Sequence, residues 1–140
     1  MSLVHGTRVA VHSFGGLVLR FCHVQFVTHC GQQATGQSVV ECAQSMEAEG
    51  AGEIILTSID QDGTMDGYDL PLIKAVTQVI QIPVIASGGA GNYQHMVEAI
   101  TESGAAAVAA ASMFHFTEQT PKEAKLTLKS QGISVRAGMA

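Results

Sequence analysis

The chain contains three apolar runs, and each ends abruptly in polar or small residues. The runs cover residues 54–56, 82–86 and 105–111, and hydroxyl, acidic or glycine residues follow each of them. Parallel strands covered on both faces show this pattern, because their polar groups emerge at the carboxyl ends. The pattern predicts a parallel α/β sheet whose strand ends converge on one ligand.

Helices are expected before, between and after these strands, each opened by a residue that can cap its first turn. The expected helices cover 38–49, 70–80, 93–103 and 121–131, with caps at Gln37 or Ser38, Asp69, Asn92 and Thr120. Connections of this length favour parallel neighbours and right-handed crossovers.

The N-terminal region has a looser pattern. We expect a short strand over 8–11, a strand or hairpin over 17–29, and a polar loop over 31–36. No low-complexity segment interrupts the order of elements, which predicts one domain over residues 1–140.

The composition excludes several classes of protein. Hydrophobic residues make up 46% of the chain and charged residues 14%, which suits buried parallel strands and not disorder. A net charge of -5 with seven Lys and Arg residues argues against nucleic acid binding. No apolar run reaches the roughly 20 residues of a membrane helix, and no signal peptide is recognised.

The cysteines and histidines do not indicate a metal site or a cofactor. Cys22, Cys30 and Cys42 are odd in number and lack zinc-ligand spacing. Reduced thiols in a cytoplasmic protein are the simplest interpretation. We therefore expect no metal and no cofactor.

The glycine-rich segment 87–91 favours an anion site. It follows a strand and leads into a helix capped by Asn92, so free amides at the helix start face the turn. Ala110, Ala111 and Ser112 form a second turn of this kind. Two such turns make a phosphate site without lysine, although glycines that only form tight turns are the alternative. A dinucleotide-binding motif does not fit, because no acidic residue follows on the next strand.

Asp60 and Asp62 follow the first run and leave two interpretations open. Carboxylates at a strand end act as general acid or base when burial or a neighbour tunes their pKa. The alternative is a solvated acidic turn that ends at Gly63. Thr57 can donate a hydrogen bond to a substrate or satisfy the backbone.

Three segments carry a family resemblance: EIILTSIDQDGTMDGYD over 53–69, PVIASGGAG over 83–91 and AASMFHF over 110–116. They closely resemble the cyclase subunit of imidazole glycerol phosphate synthase, a lyase of histidine biosynthesis. The resemblance covers about 35–136 and implies the C-terminal half, strands five to eight, of a TIM-type (β/α)8 barrel. The first four strands are absent, and residues 1–34 form a divergent first strand and hairpin.

The resemblance implies a role for particular residues. Thr57 would line the active site, Asp62 would also assist there, and Glu53 would lie where ammonia enters from a glutaminase partner. One phosphate of the ribulosyl bisphosphate substrate would be held by Asp62, Gly63, Gly88, Gly89, Ala111 and Ser112.

The chain departs from the family at the catalytic aspartates. One belongs to the absent half. The other should follow the strand at 8–11, where this chain has His12 and Ser13, and no aspartate precedes Asp60. Two functions are therefore expected: a half-length cyclase without full activity, or a catalytically inactive phosphate-binding half-barrel.

Four strands leave open edges and an uncovered interior. A parallel (β/α)4 half-barrel completed by self-association, as a homodimer or higher homo-oligomer, is therefore expected.

Overall fold

The computed structural model describes residues 9–13, 17–20, 25–28 and 33–136, with side chains from Ser38 onward. The strands are β1 (Val9–Ser13), β2 (Leu17–Arg20), β3 (Gln25–Thr28), β4 (Gln33–Ser38), β5 (Ile54–Ser58), β6 (Val84–Ser87) and β7 (Ala107–Val108). The helices are α1 (Val39–Ala48), α2 (Leu70–Thr77), α3 (Tyr93–Thr101), α4 (Ser112–Phe116) and α5 (Pro121–Ser130).

The expected capping residues open four of these helices. The side chains of Ser38, Asp69, Asn92 and Thr120 each accept a hydrogen bond from a backbone N–H in the first turn. Capping boxes are complete at α1 and α5. Because these bonds join residues three apart, sequence alone predicts them.

Strands β5, β6 and β7 are parallel neighbours, so the predicted α/β half-barrel class is confirmed. Ile54 pairs with Val84 and Thr57 with Ser87, which brings the carboxyl ends of β5 and β6 level. Helices α1, α2, α3 and α5 pack in succession along one side of the sheet.

The N-terminal strands differ from the expectation. β1 extends to Ser13 and runs antiparallel to β5. Residues 33–36, expected as part of a loop, belong instead to β4, which pairs with β3. Between β1 and β5 the chain passes through β2, β3 and β4 as well as α1. The connection is therefore not the single helix that makes two successive strands parallel. The remaining residues of 1–34, with Cys22, Cys30 and Arg8, lie outside the described residues.

The core lies between the parallel strands and the helices. Along β5, the side chains of Ile54, Leu56 and Ser58 are buried, while Ile55 and Thr57 are half-buried on the other face. Covered and open faces therefore alternate along the strand. Among the described helices, none has the length and apolar character needed to cross a membrane.

Cys42 is a free thiol in this core. Burial, and then the carboxylate of Glu49, raises the pKa of the Cys42 thiol to about 11. The thiolate is the reactive form of cysteine, so Cys42 is an inert packing residue at neutral pH.

Candidate functional site

A cleft of about 140 Å³ lies at the carboxyl ends of β6 and β7. It is lined by Asp62, by the turn residues 87–90 and by residues 109–112. Asp62 reaches it from the loop after β5, while the other residues belong to the segments that lead into α3 and α4. Three successive strand–loop segments thus meet at one place.

Gly88 and Gly89 form the turn after β6 in a conformation that favours glycine. Their φ angles are 88° and 103°, in the region that side-chain-bearing residues rarely adopt. A Cβ at Gly88 would lie 2.5 Å from the carbonyl oxygen of Ser58, and one at Gly89 would collide with the carbonyl of Gly67. The turn therefore packs backbone against backbone on the loop after β5.

This packing includes a hydrogen bond. The N–H of Gly67 donates to the carbonyl of Gly89 over 2.8 Å, and the N–H of Asp62 donates to the carbonyl of Ser58 over 2.9 Å. The loop over 59–67 is thus fixed at both of its ends, one on β5 and the other on the glycine turn.

The cleft offers N–H groups without a partner. Among the hydrogen bonds of the described residues, none has the N–H of Gly88, Gly89, Ala90 or Ala111 as its donor. An unpaired backbone N–H is costly unless solvent or a ligand satisfies it. Donors that cluster in a turn provide the positive potential that binds anions.

Asp62 is the one lining residue with an ionisable side chain, and that side chain is exposed. The described lining contains no cationic side chain, so the donors that it can offer an anion are backbone N–H groups and the hydroxyls of Ser87 and Ser112. The phosphate site stays a prediction. Asp69, which caps α2, has its pKa raised by burial and by the charge of Asp60, against the lowering effect of the Leu72 N–H.

The structure brings most of the predicted site residues together. Asp62, Gly88, Gly89, Ala111 and Ser112 all line the cleft. Thr57 does not line it, but pairs in register with Ser87, which does. Gly63 lies one residue beyond Asp62 with a φ angle of 83°, and Glu53 lies just before the opposite end of β5. The roles of these residues remain predictions.

Ser87, Ala90 and Ala110, which belong to the two predicted small-residue turns, also line the cleft. Ala109 lines it as well, although the sequence indicated only that it belongs to a strand. Two further residues act on the cleft from outside its lining. His95 and Gln119 hold the backbone of Gly91. Their positions in the sequence gave no sign of this role. No cluster of three potential metal ligands occurs among the residues that the structure describes.

Comparison with known proteins identifies a sequence family and a solved structure of similar fold. The sequence model of the family described as "Histidine biosynthesis protein" matches residues 7–120. A chain in the crystal structure of the Amycolatopsis orientalis BexX/CysO complex is similar, with a TM-score of 0.53 and 20% identity. That match covers 72% of the present chain and 44% of the other. At this identity, it speaks for the fold alone.

Proposed function

Because the chain belongs to the histidine biosynthesis protein family, we propose that it binds a phosphate group of a phosphorylated biosynthetic intermediate in the cleft. The observation that carries the proposal is that two strand-end turns with unpaired N–H groups line the same cleft. Such turns bind phosphate through backbone donors and need no lysine. The substrate proposed from the sequence resemblance is the ribulosyl bisphosphate of the cyclase reaction.

Phosphate binding is expected to shift the backbone amide signals of Gly88, Gly89 and Ala111 in an NMR titration with inorganic phosphate. Gly50 and Gly132 provide internal controls, because both follow helix ends and do not line the cleft. Chloride at matched ionic strength controls for screening. A titration in which the cleft amides move no more than those of Gly50 and Gly132 contradicts the proposal.

Cyclisation with ammonia is the second candidate function, and the position of Thr57 favours it. Thr57 lies at the carboxyl end of β5 in register with Ser87, a residue of the cleft wall. The Thr57 hydroxyl therefore lies on the strand next to the turn that would hold a phosphate group. Glu53 at the opposite end of β5 supports a glutaminase partner that delivers ammonia. Ammonia-dependent turnover that disappears in Thr57→Val and Asp62→Asn distinguishes this function from phosphate binding alone.

We propose that the half-barrel associates with itself. Ile55 and Ile85 are half-buried on the sheet face opposite the helices, and Ala107 of the edge strand β7 is exposed. An uncovered apolar face and an unpaired edge favour association. The arrangement supports a homodimer or higher homo-oligomer with two or more copies of the cleft, in a cytoplasmic protein.

Self-association predicts a native mass of at least twice the 14.6 kDa of the chain. Analytical ultracentrifugation at micromolar concentration measures it directly. An Ile85→Lys change places a charge on the open face and is expected to shift the protein toward monomer, whereas Leu126→Lys on the exposed side of α5 is its control. A wild-type monomer rules out the assembly.

A further inference from the structure

The peptide group of Gly91 is held by side chains on both sides. Its N–H donates to Nδ1 of His95 over 3.2 Å, and its carbonyl accepts a hydrogen bond from Nε2 of Gln119 over 2.8 Å. A Cβ at Gly91 would collide with the backbone of Met65. Gly91 is thus the point at which the glycine turn is fixed to its surroundings.

The ring of His95 lies beside the second loop of the cleft. A Cβ added at Gly67 would lie 3.7–3.8 Å from three atoms of the His95 ring, so the ring occupies the space next to Gly67. Gly67 in turn donates its N–H to the carbonyl of Gly89 over 2.8 Å. One imidazole is therefore bonded to the turn over 88–91 and lies beside the loop that carries Asp62.

Helix α3 holds His95 in place for this contact. The side chain of Asn92 accepts a hydrogen bond from the backbone N–H of His95 over 3.0 Å, which caps the helix. Asn92 also lies against the far edge of the ring, with its Nδ2 3.1 Å from Nε2. The cap thus places the ring on the side of the helix start that faces the turn.

Two donors face the ring of His95. The backbone N–H of Gly91 lies at Nδ1 and the Nδ2 group of Asn92 lies at Nε2, but a neutral imidazole has a single acceptor nitrogen. When Nδ1 accepts from Gly91, the hydrogen is on Nε2 and the Asn92 contact is not a hydrogen bond. The bond to Gly91 therefore requires the tautomer with hydrogen on Nε2.

We propose that His95 is a positioning residue of the anion cleft, which locks the glycine turn against the Asp62 loop through Nδ1. The inference rests on the proposed phosphate binding, because fixing the glycine turn affects function only if the N–H groups of that turn bind an anion. His95 does not line the cleft, and it acts through Gly91. Preorganised donors bind an anion more tightly than donors that must first be ordered.

A matched pair of variants tests this role. His95→Asn keeps an acceptor, since Oδ1 of asparagine occupies the place of Nδ1 relative to Cγ. His95→Leu has a similar shape but no acceptor. Each full-length protein is titrated with inorganic phosphate, and the hydrogen-exchange rate of the Gly91 amide and the thermal midpoint are measured. In the wild type, ring ¹⁵N shifts report which nitrogen of His95 carries hydrogen.

We expect His95→Leu to bind phosphate about tenfold more weakly, the effect of losing one typical hydrogen bond. Its Gly91 amide should exchange at least about tenfold faster than in the wild type. His95→Asn should return both quantities to within about threefold of the wild type. The wild-type ring should show hydrogen on Nε2.

Three results would overturn the role of His95: hydrogen on Nδ1, unchanged Gly91 exchange in His95→Leu, or an Asn variant as impaired as Leu at equal thermal stability. If the wild type and His95→Leu bind phosphate with equal affinity, the role of His95 is also overturned, whereas the proposed function stands. If the wild type binds no phosphate, the proposed function fails, and the ring tautomer with Gly91 exchange still decides whether His95 locks the turn.

Discussion

Gly89→Ala is expected to abolish the phosphate response and to lower the free energy of unfolding by about 3 kcal/mol. Alanine is strained at a φ angle of 103°, and its Cβ would collide with the carbonyl of Gly67. Since that neighbour is backbone, the loop or the turn must move. Either movement breaks the hydrogen bond from Gly67 to Gly89.

The control for this change is Gly132→Ala. Gly132 also has a positive φ angle, 77°, but no atom lies within 4 Å of the position of an added Cβ. The control therefore carries the conformational cost alone, about 1 kcal/mol, and should keep phosphate binding. Urea unfolding and the NMR titration measure both effects. Equal destabilisation of the two variants would show that the contact with Gly67 contributes nothing.

Leu56→Ala is expected to lower the free energy of unfolding by about 3 kcal/mol. Leu56 lies on β5, between β1 and β6 in the sheet, with 1% of its surface exposed, in the core between sheet and helices. Removing its side chain loses apolar burial and leaves a cavity that close-packed neighbours fill only in part.

Leu126→Ala removes the same atoms from α5, where the side chain is 60% exposed. Its expected cost is within about 0.5 kcal/mol. Chemical denaturation of the two variants under identical conditions compares buried with exposed leucine. If Leu56→Ala costs no more than Leu126→Ala, the core assigned to β5 is incorrect.

The elements from α1 onward were predictable because their signals are local. Ser38, Asp69, Asn92 and Thr120 cap helices through bonds to residues three positions later. The strands between them are apolar runs bounded by turn residues. By contrast, β4 over 33–38 is polar and contains a glycine, so neither strand periodicity nor apolar character marked it.

The residues that form and support the cleft likewise include some that the sequence predicted and some that it did not. The two small-residue turns of the cleft were predictable from the sequence, because small residues between a strand and the start of a helix form a recognisable pattern. His95 was not readable, because its role depends on where Gly67 and Gly91 meet in three dimensions. An isolated histidine in the first turn of a helix carries no such information in sequence.

The contact between the glycine turn and the Asp62 loop has a consequence for divergence. It is made by the backbone at Gly67, Gly89 and Gly91. Every amino acid has the same backbone, so the contact does not depend on which side chains surround it. The exposed side chain of Asp66 can therefore change without altering the wall of the cleft, whereas the hydroxyl of Thr64 bonds within the loop. A chain built on this junction can vary exposed side chains of the loop while the backbone contacts that frame the cleft are kept.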